Sequence, residues 1–480
     1  MPRRNLYALA MVGATSLFCW QATQGAKPKD EMMELYGVFV DAVEQVEANY
    51  VRPVNRRELL ESALKGMLQN LDPHSSYINT SEWKQFKRQI EGRFGGIGIQ
   101  VGMDNDASRL KVIAPMVGTP AYEAGILAGD IIMEIDGQST EGMNPDKAVE
   151  VLTGRPGTQV KLSVLHEGDE KLETIAVTRA IIDVPSVLGD SRKPDDSWSF
   201  MLDQDKKIGY IRISSFIQNT TEELKKALAE LKSDGMKALV LDLRDNPGGL
   251  LSAAVEVSDL FVADGLIVST KGRNTVGKTY EAQKDGTYGD FPMVVLVNQN
   301  SASAAEIVSA CLQDHNRAVV VGQRSYGKGS VQNIIDLEDG NSVLKLTVAS
   351  YLRPSGKNIH RFKNAKDSDE WGVSPNAGLD VKLTSSQYAN WFLGRRDRDL
   401  LTNGKRQRDR AAERDKEKDK EIVKAGPGQE AEKDKDKEKE KEKSTPKGRS
   451  ARGPFVDRQL DKALDVIKEK LAAAVAKKTE

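Results

Sequence analysis

With 480 residues, 39% of them apolar, the chain is long enough for about three domains with cores of their own. Its 70 lysines and arginines are matched by 71 acids, and a formal net charge of −1 leaves no positive field to draw in nucleic acid. The 2 cysteines and 4 scattered histidines show no metal-ligand spacing such as H-E-x-x-H, and no cofactor is expected.

The chain opens Met1-Pro-Arg-Arg-Asn5, continues with apolar residues 6–20, and turns small and polar through Ala26. That order predicts an export signal over 1–26, with cleavage near Gly25 or Ala26. The apolar run is shorter than the roughly 20 residues of a membrane span, and an uncleaved membrane anchor is the alternative. Phe18 stands before Cys19, where a lipidation site needs a small residue. A periplasmic or other extracytoplasmic location follows. Only Cys311 remains after cleavage, so an intrachain disulfide is excluded.

Residues 27–90 read as a helical amino-terminal domain. Met32, Leu35, Tyr36, Phe39, Val43 and Val46 form one helical stripe, and Leu59, Leu60, Ala63, Leu64, Met67 and Leu68 form a second. Asn55 with Glu58 supplies a capping signal for the second helix. Packing within the chain is the plain reading of both stripes.

Residues 91–180 form the next unit. Phe94-Gly-Gly-Ile-Gly-Ile-Gln-Val101, Gly118-Thr-Pro-Ala-Tyr-Glu-Ala-Gly125 and Asp130-Ile-Ile-Met-Glu-Ile-Asp-Gly137 together resemble a PDZ domain. The resemblance implies that the loop of Gly96, Ile97, Gly98 and Ile99 presents amides to a peptide carboxylate. The following strand edge would then pair with the peptide backbone. Thr153 stands where relatives of this kind often carry arginine, with Arg155 as a substitute.

The segment 181–400 holds the motifs that bear chemistry. Lys237-Ala-Leu-Val-Leu-Asp-Leu-Arg-Asp-Asn-Pro-Gly-Gly-Leu-Leu251 is a buried strand running into a Gly-Gly turn, where backbone can approach a ligand closely. Pro292-Met-Val-Val-Leu-Val-Asn298 is an apolar strand suited to a sheet covered on both faces. After it, Ala304, Ala305, Ile307, Val308, Cys311 and Leu312 recur at helical spacing, which puts Ser303 at a helix start. Ser303-Ala-Ala-Glu306 also fits a capping box, in which the serine only satisfies orphan amides. A nucleophilic role for Ser303 needs a base, and Lys328 in Ser325-Tyr-Gly-Lys-Gly-Ser-Val-Gln332 can serve if burial lowers its pKa towards roughly 7 to 8. If Lys328 starts a strand, Gln332 points to the same side and can orient the amine. Amides of Gly248 or Gly249, with that of Ala304, can receive an oxyanion.

These motifs, with Ile208-Gly-Tyr-Ile-Arg-Ile-Ser-Ser-Phe216, occur in the order seen in the carboxyl-terminal processing (tail-specific) serine peptidases, which the chain resembles over residues 31–400. The resemblance implies an α+β multidomain fold: an amino-terminal helical segment, a PDZ-like β domain, an α/β core of the Clp/crotonase-like tail-specific protease type, and a carboxyl-terminal helix. It makes Ser303 the nucleophile, Lys328 the general base and Gln332 its orienting partner, with Gly249 and Ala304 as oxyanion donors. In such proteins the amino-terminal helices also contribute to dimer contacts. Ala305 and Asn376 depart from the usual Ser and Asp without touching the implied catalysis.

Residues 401–450 are dominated by Lys, Glu, Asp and Arg and cannot build a core, so a disordered tether is expected, with a solvated single helix as the alternative. In 451–480, Val456, Leu460, Ala463, Leu464, Ile467, Leu471 and Val475 make a regular apolar stripe. Docking of this helix onto the amino-terminal helices, in the same chain or in a partner's, is expected.

The function expected is an exported serine endopeptidase that takes hold of protein carboxyl termini through the PDZ and cleaves by a Ser-Lys mechanism. Its partners would be proteins or peptides with free carboxyl termini, a second copy through the terminal helices, and a regulatory adaptor; nucleic acid is not among them. A catalytically silent PDZ adaptor is the alternative from another class. A crotonase-like acyl-CoA enzyme fits an export signal and a PDZ poorly.

Overall fold

The computed structural model describes residues 31–104, 106–167, 169–274, 276–399 and 455–479. The export signal expected over 1–26 and the charged tether expected over 401–450 lie outside the described residues. The chain divides into two compact units, one built from residues up to 83 together with 332–347, the other from 84–331 and 348 onward.

In the first unit the helices Glu31–Asn49 and Arg56–Gln69 follow the two stripes. Asn55 caps the second helix by accepting the Arg57 N–H at 2.8 Å, which satisfies one of its orphan donors. The strand Ser76–Ile78 pairs antiparallel with residues 343–345. Burial is uneven between the helices. Leu68 is buried at the end of the second, whereas Met32, Leu35, Tyr36, Phe39 and Val46 of the first are all exposed.

The second unit begins with an antiparallel sheet in the order Ile99–Asp104, Arg109–Pro115, Ile131–Ile135, Gln159–Leu165, Leu172–Thr178. Alternate residues, among them Leu110, Val112, Ile132, Leu162 and Val177, turn inward to a core closed by Ala148 and Leu152 of the helix Pro145–Leu152. A separate antiparallel pair, Arg93–Gly96 with Ala180–Asp183, joins the two ends of this module. Ile99–Asp104 is one edge strand of the sheet and Leu172–Thr178 the other.

Beyond the module, four parallel strands lie in chain order: Ile208–Ile213, Ala238–Asp242, Met293–Val297 and Val319–Gly322. Their residues alternate between two cores, as strand geometry requires. Met293, Val295 and Val297 face the helices Thr220–Ser233, Leu251–Asp259 and Ala304–Asp314. Val294 and Leu296 face the other way, with Ile208, Tyr210, Ala238 and Val240.

The carboxyl-terminal helix Arg458–Thr479 covers that second face with Leu460, Ala463 and Ile467. This corrects the expected docking onto the amino-terminal helices. A parallel sheet with one bare apolar face needs a cover of its own, and the stripe of this helix provides it.

Candidate active site

Ser303 sits between the strand Met293–Val297 and the helix Ala304–Asp314, at the N-cap of that helix. Its backbone has φ 55° and ψ −113°, a region that residues with a Cβ rarely enter, so the turn is held by its surroundings. One of those surroundings is Glu306, which has no exposed surface although it carries a carboxylate. Oε2 of Glu306 accepts the N–H of Ser303 at 2.8 Å, half of a capping box.

The same carboxylate reaches further than a cap. Oε2 also accepts the N–H of Lys328 at 2.7 Å, while Oε1 accepts the Ser325 hydroxyl at 2.5 Å and the Gly327 N–H at 2.6 Å. The turn 325–328 is therefore tied to the start of the serine's helix through one side chain. Burial pushes the Glu306 pKa up to about 7, against the pull of the hydroxyl of Ser325 and the N–H groups of Gly327, Ser303 and Lys328. The capping box seen in the sequence accounts for only one of these bonds. A lone acid among Ala304, Ala305, Ile307 and Val308 was the available sign that it is buried and paired.

Lys328 is half-buried, and the strand Ser330–Leu337 begins two residues after it. Lys328 therefore lies outside the strand, and it is Ser330 and Gln332 that share a strand face. Gln332 lies in the amino-terminal unit, where its Nε2 donates to Thr347 Oγ1 at 3.2 Å. Thr347 in turn donates to Asp72 Oδ1 at 3.2 Å. Asp72 comes from the Leu71-Asp-Pro-His-Ser-Ser-Tyr77 turn and also accepts the Ser75 hydroxyl at 2.6 Å.

The Gly-Gly turn approaches Ser303 directly. A Cβ added to Gly248 would lie 2.7 Å from Ser303 Cβ, 2.8 Å from the Ala302 carbonyl and 3.0 Å from the Ala304 nitrogen. Asn246 shapes this turn: its Oδ1 takes the Gly248 N–H at 2.8 Å, its Nδ2 donates to the Ile213 carbonyl, and its own carbonyl accepts the Ala302 N–H at 2.9 Å. Gly248 therefore has its amide in use. Its carbonyl accepts from Phe216 at 2.9 Å, and because a trans peptide sets N–H opposite C=O, the Gly249 N–H points away from Phe216. The Ser303 carbonyl accepts within its helix, which turns the Ala304 N–H out of the helix start by the same reasoning. Among the described residues no hydrogen bond engages the N–H of Gly249 or of Ala304. Two amides with no partner, one on each side of a strained serine, can stabilise a developing oxyanion.

A network missed in the sequence supports the turn from behind. Tyr210 donates its hydroxyl to Asp242 at 2.7 Å, and Asp242 pairs with Arg244 at 2.6 Å. Arg244 pairs with Asp457 at 2.8 Å and packs against the Trp391 ring at 4.5 Å. Residues so far apart in the sequence carry no local signal of this cluster.

Cys311 does not offer a competing nucleophile. Burial pushes its thiol up to about 12, and His315 directs Nε2 to the Leu266 carbonyl at 2.8 Å.

In the PDZ-like module, Gly96 belongs to the pair that joins the module's ends, facing Ala180. The carbonyl of Ile97 accepts the Ala121 N–H at 2.9 Å, and that of Gly98 accepts the Met116 N–H at 2.9 Å and the Thr119 hydroxyl at 3.1 Å. Both carbonyls face residues 116–121, so the N–H groups of Gly98 and Ile99 face the opposite way. Thr153 closes the helix Pro145–Leu152 by donating to the Val149 carbonyl at 2.6 Å. The guanidinium of Arg179 caps this helix by donating to the carbonyls of Val151 and Leu152.

Three family models match successive parts of the chain. Residues 207–376 match the model of peptidase family S41, residues 85–165 that of the PDZ domain, and residues 15–82 that of the activating protease CtpB N-terminal domain. A carboxy-terminal-processing protease of Bartonella bacilliformis is 39% identical over 75% of this chain and 81% of its own length. A carboxyl-terminal-processing protease of Synechocystis is 34% identical over 70% of this chain and 74% of its own. The carboxy-terminal processing protease CtpA of Bacillus subtilis is 36% identical over 67% of this chain and 66% of its own. With a strained serine at a helix start, a lysine turn tied to it and a PDZ module ahead of both, the chain belongs to the carboxy-terminal-processing serine proteases of peptidase family S41.

Proposed function

We propose that this protein is an exported endopeptidase that captures free carboxyl termini at its PDZ domain and cleaves peptide bonds with Ser303 and Lys328. The observation that carries the reading is the shared acceptor: one oxygen of Glu306 binds the N–H of both residues. In the proposed reaction Ser303 Oγ attacks the scissile carbonyl while its proton passes to Lys328 Nζ. The oxyanion is received by the amides of Gly249 and Ala304. Lys328 then returns the proton to the leaving amine, and water releases the acyl-enzyme. Gln332 orients the Lys328 amine.

Capture of the terminus uses the outward N–H groups of Gly98 and Ile99 for the carboxylate. The open edge of Ile99–Asp104 pairs with the peptide backbone. A homodimer is proposed through the amino-terminal helix, whose apolar stripe stays exposed in the single chain while the carboxyl-terminal helix is already seated on its own core. An adaptor that controls access is compatible with the same surface. Export, with the protein working in the periplasm or another extracytoplasmic space, rests on residues 1–26.

The test compares wild type, Ser303→Ala and Lys328→Ala on an unfolded protein with an apolar carboxyl terminus. Loss of cleavage in both variants, with unchanged circular dichroism, supports the mechanism. Equal residual cleavage in all three would mean a contaminating protease and would overturn it.

A further inference from the structure

Arg244 lies two residues after the strand Ala238–Asp242 and two residues before Asn246, the residue that shapes the Gly248-Gly249 turn. Its side chain has no exposed surface. A buried guanidinium needs its charge and its five N–H donors matched. Asp242 meets part of that need: Nε donates to its two oxygens at 2.9 and 3.0 Å, and Nη2 donates to Oδ2 at 2.6 Å. Asp242 also accepts the Tyr210 hydroxyl.

Most of the rest comes from Asp457, 213 residues further along the chain, with Gln459 Oε1 accepting a further Nη1 hydrogen at 3.3 Å. Nη1 and Nη2 donate to its two oxygens at 2.8 Å each, a bidentate fork. Asp457 is itself oriented by the Trp391 indole N–H at 2.9 Å, and it caps the carboxyl-terminal helix through the Leu460 N–H at 3.0 Å. Burial alone would lower the Arg244 pKa, but Asp242 and Asp457 hold it well above its ordinary value. Burial would likewise raise the Asp457 pKa, and Arg244 brings it below the ordinary range.

Apolar residues of the helix already fasten it to the sheet, and a buried ion pair adds little net stability over apolar packing. What the fork adds is direction. Arg244 cannot rotate or shift without breaking the fork, and its backbone leads straight into residues 245–249.

We propose that Asp457 is a positioning residue of the active site: through Arg244 it fixes the turn 245–249, so the carboxyl-terminal segment completes the oxyanion site. The inference rests on the reading of Gly249 and Ala304 as oxyanion donors. The chain's own carboxyl-terminal segment is then a working part of a protease that acts on other proteins' carboxyl termini.

The test uses the full chain, a fluorogenic peptide and a peptide boronate that mimics the tetrahedral state at Ser303. Asp457→Asn is expected to lower kcat by about tenfold or more, to leave KM within about twofold, and to weaken the boronate by the same factor as kcat. Leu460→Ala loosens the same helix without touching Arg244. It should lower Tm and leave kcat within about twofold at temperatures well below that Tm. Should Asp457→Asn fail to fold, Trp391→Phe keeps Asp457 but removes the indole N–H that orients it and trims the ring that packs on Arg244, and a fall in kcat of about two- to fivefold is expected. Unchanged kcat and boronate affinity in the folded Asp457 variant, or in Trp391→Phe if that one alone folds, would overturn the proposal while leaving the oxyanion reading intact. If wild type binds the boronate no better than Ser303→Ala does, the oxyanion reading fails and the proposal falls with it.

Discussion

The backbone N–H groups of Ser303 and Lys328 donate to the same oxygen of Glu306, at 2.8 and 2.7 Å. Their backbone nitrogens therefore lie within two hydrogen-bond lengths of each other. The serine belongs to a helix start and the lysine to a turn before a strand, so neither element alone sets their separation. Glu306 does so by filling both oxygens with four donors from the two segments.

Glu306→Gln is expected to abolish most activity. The amide offers one acceptor oxygen where the carboxylate offers two, and in either orientation its NH₂ faces two donors. Each buried donor left unpaired costs roughly 1–3 kcal/mol, so a loss of about 2–5 kcal/mol in stability should accompany the loss of turnover. Thermal melting and peptide hydrolysis measure the two effects. A variant with normal kcat would show that the shared oxygen does not set the geometry of catalysis.

The pH dependence of stability carries the same signature. Burial raises the folded-state pKa of Glu306 from its ordinary 4.5 to about 7. Between those values the folded chain holds a proton that the unfolded chain has released. The contribution is fully present below the unfolded pKa and is lost as pH rises through about 7. Wild type should thus lose stability as pH climbs from about 4.5 to 7, by at most about 1.4 kcal/mol per pH unit for this group. Denaturant titrations of wild type and Glu306→Gln across that window check it, and equal slopes in both would rule Glu306 out as the source.

Gly248→Ala places a methyl group 2.7 Å from Ser303 Cβ and 2.8 Å from the Ala302 carbonyl, at a φ of 99° that side chains avoid. Either the turn or the serine must move. The expected loss in kcat is about a hundredfold, with binding of a carboxyl-terminal peptide at the PDZ unchanged. A drop in PDZ affinity of the same size would mean that the substitution unfolds the unit at large.

Much of this arrangement was legible in the sequence because it is local. The unbroken apolar run Met293–Val297 announced a sheet covered on both faces, and the helical spacing after Ser303 placed it at a helix start. What covered the second face was not legible, because an apolar stripe such as Leu460, Ala463 and Ile467 says that a helix is buried and not against what. The Arg244 cluster was hidden for a related reason: its carboxylates sit 2 and 213 residues away, and only the folded chain brings the second one in. Glu306 was half read, since a capping box accounts for one of its four bonds and hides the other three.

Gly98→Ala should separate capture from catalysis. The added Cβ would lie 2.4 Å from Thr119 Cβ and 2.5 Å from its Oγ1, at a φ of 79°. Thr119 cannot withdraw cheaply, because its hydroxyl is already bonded to the Gly98 and Met116 carbonyls at 3.1 and 2.7 Å. The strain falls on residues 97–99, whose outward amides are the proposed carboxylate site. Affinity for a peptide with a free carboxyl terminus should fall about tenfold or more, towards that of the amidated peptide. Hydrolysis of a short ester that reaches Ser303 without the PDZ should be unaffected. Fluorescence anisotropy with the two peptides decides the matter: if the variant still prefers the free carboxylate as strongly as wild type, carboxylate capture belongs to other residues of the module.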